Sequence, residues 1–153
     1  MIEIGKKAPS ITLPDSYGVK RTLKEFLGKK VILYFYPKDN TPGCTTEACD
    51  FRDSFSEYKN LDAVVIGISP DSVKSHKKFA EEFKLPFILL SDEEKVVIEK
   101  FGVWKEKSMY GKKYMGVERT TVLIDGKGII RRVYEKVKVP GHVEEVYKDL
   151  QEV

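Results

Sequence analysis

The chain has 153 residues but only two cysteines, both within one short stretch of its first third. It lacks the Cys-x-x-Cys spacing of dithiol oxidoreductases. The only two histidines, His76 and His142, lie far from each other and from the cysteines. Because a tetrahedral zinc site needs four ligands with close spacings, this set disfavours structural zinc. Dithiol exchange and zinc binding thus become minor alternatives.

The sequence also lacks long apolar runs and an excess of one charge. The longest apolar runs, 31–36 and 63–66, have the length of strands rather than of membrane spans. Its 27 basic and 24 acidic residues give a net charge of +3, which is too balanced for a nucleic-acid-binding surface. The N-terminus does not have the order of a signal peptide. We therefore expect a cytoplasmic protein that binds neither membranes nor nucleic acid.

Short apolar strands that alternate with amphipathic helices predict a single α/β domain over residues 1–153. The 41% apolar content is sufficient for one core. The predicted strands are 30–36, 62–69, 87–90, 120–124 and 129–134. The predicted helices are 45–58, 94–101, 142–150 and one that runs from an Asp71-Ser72 cap to about residue 83, with an extended piece and a short helix in 11–27. This order predicts a thioredoxin-like fold with an insertion, in which helices flank a central mixed sheet.

The first cysteine, Cys44, follows Thr41-Pro42-Gly43 at a predicted loop-to-helix junction. Threonine is a good N-cap and proline is favoured in the first helical turn, so Cys44 is predicted to lie in that turn. The positive end of the helix dipole stabilises an anion there. The helix start therefore favours the thiolate, which is the nucleophilic form of cysteine.

The second cysteine, Cys49, lies five residues further along the same predicted helix. Five helical residues separate the two Cα atoms by about 8.6 Å, whereas a disulfide requires less than about 7 Å. The pair could bond only if the first turns unwound, which suggests a conformational cycle coupled to redox state. The alternative is that both cysteines are small hydrophobic residues packed in the core.

The pattern Pro37-x-x-x-Thr41-x-x-Cys44 resembles the active-site signature of the peroxiredoxins, and the position of Cys49 resembles the bacterioferritin-comigratory, or Q-type, group. Further similar segments are 5–9, 67–71, 118–125 and 141–145, so the resemblance covers almost the whole chain. One departure is Val122, where many members have phenylalanine. The resemblance implies the peroxiredoxin variant of the thioredoxin-like fold.

The resemblance also implies a role for each site residue. Cys44 would be the nucleophile that attacks the hydroperoxide and becomes a sulfenic acid, and Arg119 would favour its thiolate and bind the peroxide. The hydroxyl of Thr41 would face the thiolate, Pro42 would shield the sulfur, and Gly43 with the Cys44 N–H would bind peroxide oxygens. Cys49 would resolve the sulfenic acid into an intramolecular disulfide. Taken without the family, Arg119 is an exposed strand-edge charge, and Glu47 between the cysteines is interpreted as structural.

The same resemblance implies a hydroperoxide substrate, thioredoxin or a similar thiol reductant, and no cofactor or metal. A monomer or weak homodimer is expected. The segment 104–116 is predicted to be a loop beside the active site, before a strand that carries Arg119, with a nucleic-acid platform as the disfavoured alternative. Two rival functions remain: a one-cysteine peroxidase resolved by an external thiol, and a redox switch on a binding or chaperone-like protein.

Overall fold

The computed structural model describes residues 2–153, so that Met1 of the predicted domain lies outside the described residues. Its strands are β1 (Thr12–Pro14), β2 (Lys20–Thr22), β3 (Lys30–Phe35), β4 (Ala63–Ser69), β5 (Ile88–Ser91), β6 (Trp104–Met109), β7 (Lys112–Val117), β8 (Thr120–Ile124) and β9 (Ile130–Tyr134). Its α-helices are α1 (Pro42–Asp53), α2 (Phe55–Asn60), α3 (Val73–Phe83), α4 (Val96–Lys100) and α5 (His142–Leu150), and a 3₁₀ helix spans Leu23–Phe26.

Five strands form the central sheet in the order β5-β4-β3-β8-β9. The middle strand β3 pairs in parallel with β4 and antiparallel with β8, so that the sheet is mixed, as predicted. After Lys30 the residues of β3 are all apolar or aromatic and buried, as is typical of a strand that is covered on both faces. The α/β class and the thioredoxin-like arrangement expected from the sequence are confirmed.

Alternate residues of β3 contribute to two separate cores, one on each face of the sheet. Val31, Leu33 and Phe35 pack on the face that α4 covers. Ile32 and Tyr34 pack on the opposite face, with apolar side chains from α1, α2, α3 and α5. The alternation follows from the period of two residues in a strand. The second core is the one that contains Cys44.

Two predicted elements differ from the structure. The helix predicted over 45–58 begins earlier, at Pro42, and is interrupted at Ser54, which lies between α1 and α2. The segment 104–116, predicted to be a loop, is the antiparallel hairpin β6–β7. Its turn residues Tyr110 and Gly111 both have positive φ (52° and 78°), which is the requirement of a type I′ hairpin. Its strands are largely polar and exposed, so hydropathy gives no strand signal.

Other predicted boundaries are confirmed closely. Helix α3 has Ser72 as its N-cap, and the Ser72 hydroxyl accepts a hydrogen bond from the Ser75 N–H at 3.1 Å. Helix α5 spans residues 142–150, and strands β8 and β9 match the strands predicted over 120–124 and 129–134 to within one residue. Within residues 2–153, none of the helices has the length and apolar character needed to cross a membrane.

The first residue of α5, His142, makes stability depend on pH. Burial, with a further contribution from the positive charge of Arg119, lowers the pKa of His142 to about 4. The unfolded chain binds this proton near pH 6.5, so the stabilising contribution is complete above that pH and is lost as pH falls toward about 4. We expect His142→Gln to remove roughly 2 kcal/mol of the acid-induced loss in unfolding free energy. Urea denaturation of both proteins at pH 7.5 and pH 4.5 measures this difference, and equal pH dependence would contradict it.

Candidate active site

Helix α1 begins in the stretch that holds both cysteines. Thr41 is its N-cap, with an extended backbone (φ −87°, ψ 155°), and Pro42 is its first residue. The Thr41 hydroxyl does not cap the helix, because it donates instead to the carbonyl oxygen of Lys38 at 2.9 Å. The N–H groups of Gly43 and Cys44, in the first turn, precede the first i to i−4 helical bond and remain available to a bound acceptor.

Cys44 is the third residue of α1, in the turn where the sequence predicts it. It is only 2% exposed, and its side chain packs against the second core. The aligned peptide dipoles of the helix place positive potential at this position. The sulfur is thus held where an anion is stabilised and where few solvent molecules can reach it.

Arg119 lies beside this sulfur. Its Nη2 atom is 3.4 Å from the Cys44 Sγ atom, and its Nη1 atom donates to the Glu47 Oε1 atom at 2.6 Å. Arg119 does not lie in a strand, as was predicted, but in the short link between β7 and β8. Its side chain is 16% exposed rather than a free surface charge. The fold thus brings the cationic side chain of Arg119 to the Cys44 thiol, although the two residues are 75 positions apart in the sequence.

Glu47 is a residue whose part in the site the sequence interpretation missed. It is completely buried, and its Oε2 atom has no hydrogen-bond partner in the described residues. Burial raises the pKa of Glu47 to about 7, although the charge and hydrogen bond of Arg119 act in the opposite direction. Its spacing of three residues from Cys44 places both on one helix face, and this was the available sequence signal. Glu47 orients the guanidinium that contacts the sulfur.

Gly43 lies directly beneath the guanidinium group of Arg119. A Cβ atom built on Gly43 would lie 3.2 Å from the Arg119 Nη2 atom, which is closer than most such contacts. A larger residue would therefore push the guanidinium away from its position beside the thiol. Pro42 and Gly43 are both exposed at the helix start, where a small substrate can approach.

Cys49 lies on the same uninterrupted helix as Cys44, and both are free thiols. It is partly buried, and burial raises the pKa of the Cys49 thiol. Cys49 is therefore protonated at neutral pH in this conformation and is a poor nucleophile. Because α1 is intact over both cysteines, helix geometry keeps their Cα atoms roughly 8.6 Å apart. The structure is that of a reduced pair that cannot bond without unwinding.

A second polar cluster lies beside the loop that connects β3 to α1. The side chains of Asp39, Asp71 and His76 place possible metal-ligand atoms within 4.8 Å of one another. Each already makes short hydrogen bonds inside the protein, with Asp39 Oδ2 2.7 Å from His76 Nδ1 and Ser69 Oγ donating to Asp71 Oδ2 at 2.5 Å. A cation would have to break these bonds. Both histidines of the chain, His76 and His142, are buried.

The fold and the site together define a class of protein. A thiol at a helix start, in contact with an arginine on a thioredoxin-like scaffold, is the arrangement of a thiol peroxidase. Residues 4–133 match the AhpC/TSA family. The chain belongs to this family, whose members include the peroxiredoxins that its signature resembles.

Similar proteins include members of the bacterioferritin-comigratory, or Q-type, group of peroxiredoxins. The chain is 57% identical over 145 residues to a putative peroxiredoxin Bcp of Coxiella burnetii, covering 95% of this chain and 96% of the relative. It is 53% identical over 152 residues to peroxiredoxin Bcp of Bacillus subtilis, covering 99% and 97%. The solved bacterioferritin comigratory protein of Xanthomonas campestris has a TM-score of 0.91 and 39% identity, covering 99% of this chain and 97% of that one. The predicted family and group are thereby confirmed.

Proposed function

We propose that this chain is a thiol-dependent peroxidase in which Cys44 reduces hydrogen peroxide and organic hydroperoxides to water and alcohols. The observation that carries the proposal is the 3.4 Å contact between Arg119 Nη2 and Cys44 Sγ at the start of α1. Helix dipole and guanidinium both favour the thiolate. Organic hydroperoxides are included because the Xanthomonas campestris relative has alkyl peroxide reduction activity.

In the first step the Cys44 thiolate attacks one oxygen of the hydroperoxide. A sulfur–oxygen bond forms while the oxygen–oxygen bond breaks, so the sulfur is oxidised to a sulfenic acid. The departing hydroxide or alkoxide takes up a proton and leaves as water or alcohol. Arg119 stabilises the negative charge that develops on the oxygens, and the N–H groups of Gly43 and Cys44 can donate to the same oxygens.

Thr41 and Pro42 complete this binding site. Because the Thr41 hydroxyl donates its proton to the Lys38 carbonyl, its oxygen lone pairs can accept a hydrogen bond from the hydroperoxide. Pro42 has no N–H group that could hold water beside the sulfur. Together they favour a peroxide over water at Cys44.

In the second step Cys49 attacks the sulfenic acid sulfur and releases water, which leaves a Cys44–Cys49 disulfide. The first turns of α1 must unwind for the two sulfurs to meet. Thioredoxin or a similar dithiol then exchanges with this disulfide and restores both thiols. Because recycling needs a supply of thiol, we place the protein in the cytoplasm. We further propose that residues 1–153 act as one domain, as a monomer or weak homodimer.

The mass of the intact protein after one equivalent of hydrogen peroxide, without reductant, tests this cycle. We expect wild type to lose two hydrogens as the disulfide forms. Cys49→Ser is expected to retain the sulfenic acid or its further oxides, because the resolving thiol is absent. If wild type instead gains oxygen and never forms the disulfide, the one-cysteine alternative holds. If neither protein reacts within minutes, or if wild type reacts once and reductant never restores it, the peroxidase proposal is wrong.

A further inference from the structure

The loop between β3 and α1 is fixed by one carboxylate, that of Asp39. Its Oδ1 atom accepts a hydrogen bond from the Tyr36 hydroxyl at 2.6 Å, and its Oδ2 atom accepts one from the Ser75 hydroxyl at 2.8 Å. The same Oδ2 atom lies 2.7 Å from His76 Nδ1. Ser75 and His76 belong to α3, so a short loop three residues before the helix start is tied to a distant helix.

Asp39 and His76 form a buried hydrogen-bonded pair. The His76 Nε2 atom is 3.0 Å from the Leu90 carbonyl oxygen, which can only accept, so Nε2 carries a proton. The other ring nitrogen, Nδ1, faces the carboxylate of Asp39, which also accepts from two hydroxyls. His76 is completely buried, and Asp39 is 7% exposed. Buried polar groups require hydrogen-bond partners, and both side chains have them here.

The backbone of the same loop is held as well. The Asp39 N–H donates to the Asp71 Oδ2 atom at 2.8 Å. Asp71 is fixed in turn, because its carbonyl oxygen accepts from the Ser91 hydroxyl at 2.6 Å. Side chain and main chain of Asp39 thus join the loop to α3, to the turn before α3 and to β5. We refer to the pair Asp39–His76 with these bonds as the loop anchor.

The chain just downstream is held very differently. In residues 2–153, each side-chain hydrogen bond that joins segment 41–49 to a distant part of the chain ends on Arg119. The hydroxyls of Thr41 and Thr46 bond only locally, to Lys38 and Pro42. Asn40 lies between the firmly bonded loop and segment 41–49, and its φ of 64° places it in the left-handed region. Side-chain hydrogen bonds to distant elements are therefore numerous up to residue 40, whereas from Thr41 onward α1 is held by Arg119 and by the packing of its apolar face.

We infer that the loop anchor is a positioning device that sets the upstream limit of unwinding and holds the start of α1 against Arg119. This inference rests on the proposed two-step cycle. With the anchor in place, Thr41 and Cys44 return to the same position after each disulfide is reduced. Without it, the helix start would be displaced from the guanidinium, while the sulfenic acid could still meet Cys49. The anchor thus serves the peroxide step and not the disulfide step.

Asp39→Ala separates these two steps. In a Cys49→Ser background, rapid quenching and intact mass give the rate of reaction with hydrogen peroxide alone. In the two-cysteine background, the same method gives the rate at which sulfenic acid becomes disulfide. We expect Asp39→Ala to lower the peroxide rate by about tenfold or more, the scale at which misplaced reacting groups lose rate. The disulfide rate should be unchanged or higher.

Conservative variants and a matched control sharpen the test. Asp39→Asn should retain the peroxide rate to within about fivefold, because an amide can accept from Tyr36 and donate to the His76 Nδ1 atom at the cost of roughly one hydrogen bond. Tyr58→Phe removes a buried hydroxyl that donates to the Val143 carbonyl at 2.6 Å in the same core, away from the loop. We expect it to lower the melting temperature without changing either rate.

The two rates of Asp39→Ala distinguish a positioning role of the loop anchor from a general loss of structure. The inference is overturned if both rates of Asp39→Ala stay within twofold of the parent, or if both fall together as a general loss of structure would cause. If Asp39→Ala does not fold, Ser75→Ala decides: a selective fall in the peroxide rate supports the anchor, and no selective fall refutes it. Disulfide formation in the parent protein separates failure of this inference from failure of the proposed cycle.

Discussion

Replacing Cys44 by serine is expected to lower hydroperoxide turnover by at least about 10⁴-fold, the scale of loss when a nucleophile is removed. The reason is that the neutral hydroxyl of serine is a far weaker nucleophile than the thiolate held at the start of α1. The substitution is nearly isosteric and Cys44 is 2% exposed, so the fold is expected to persist. Hydrogen peroxide consumption in the presence of dithiothreitol measures the loss.

Cys49→Ser provides the matched control, because it removes the other thiol of the same helix. It is expected to react once with hydrogen peroxide at nearly the rate of wild type. If consumption instead persisted in Cys44→Ser and disappeared in Cys49→Ser, the assigned roles of the two cysteines would be reversed. Circular dichroism of both variants checks that the helices are retained.

Removing the guanidinium in Arg119→Leu is expected to lower the second-order rate with hydrogen peroxide by about 10²–10³-fold, the usual effect of losing a preorganised donor to a developing anion. Both the 3.4 Å contact with Cys44 Sγ and the 2.6 Å bond to Glu47 are lost. Arg119→Lys should recover only part of the rate, because an ammonium group cannot contact both partners in the same planar geometry.

The double variant Arg119→Leu/Glu47→Gln separates catalysis from stability. In the single variant, Glu47 is completely buried without its partner, which destabilises the fold or forces the carboxyl to remain protonated. Converting it to an amide removes that penalty, so the melting temperature should rise relative to Arg119→Leu. The peroxide rate should stay low. Recovery of the rate in the double variant would show that Arg119 acts only through stability.

The sequence was sufficient to predict the central sheet and the position of Cys44 in the first turn of a helix. Strands β3, β4 and β8 are apolar and short, and Thr41-Pro42 is a strong helix-start signal, so local physics determines these features. The contact of Arg119 with Cys44 followed from a family resemblance and not from spacing. The roles of all the site residues remain proposals: Thr41, Pro42, Gly43, Cys44, Cys49 and Arg119.

What could not be predicted depends on contacts between distant segments. Asp39 and His76 are 37 positions apart, and no pattern in the sequence indicates that His76 is completely buried or that it contacts Asp39. Glu47 reads as an ordinary acidic residue near a helix start until its pairing with Arg119 is seen. The hairpin β6–β7 escapes detection because its strands are largely exposed and rich in lysine, without a clear alternation of apolar and polar residues. Its antiparallel pairing and the positive φ values of its turn are visible only in the structure.

The packing of α1 has a consequence for recognition of the oxidised protein. Ala48 and Phe51 lie on the same helix as both cysteines and are completely buried in the second core. In the proposed cycle, the unwinding that brings Cys44 to Cys49 would include Ala48 and withdraw it from the face that it forms with Phe51. The disulfide form would therefore display an apolar surface that the thiol form conceals. A reductant that binds this apolar surface would bind the disulfide form in preference to the thiol form.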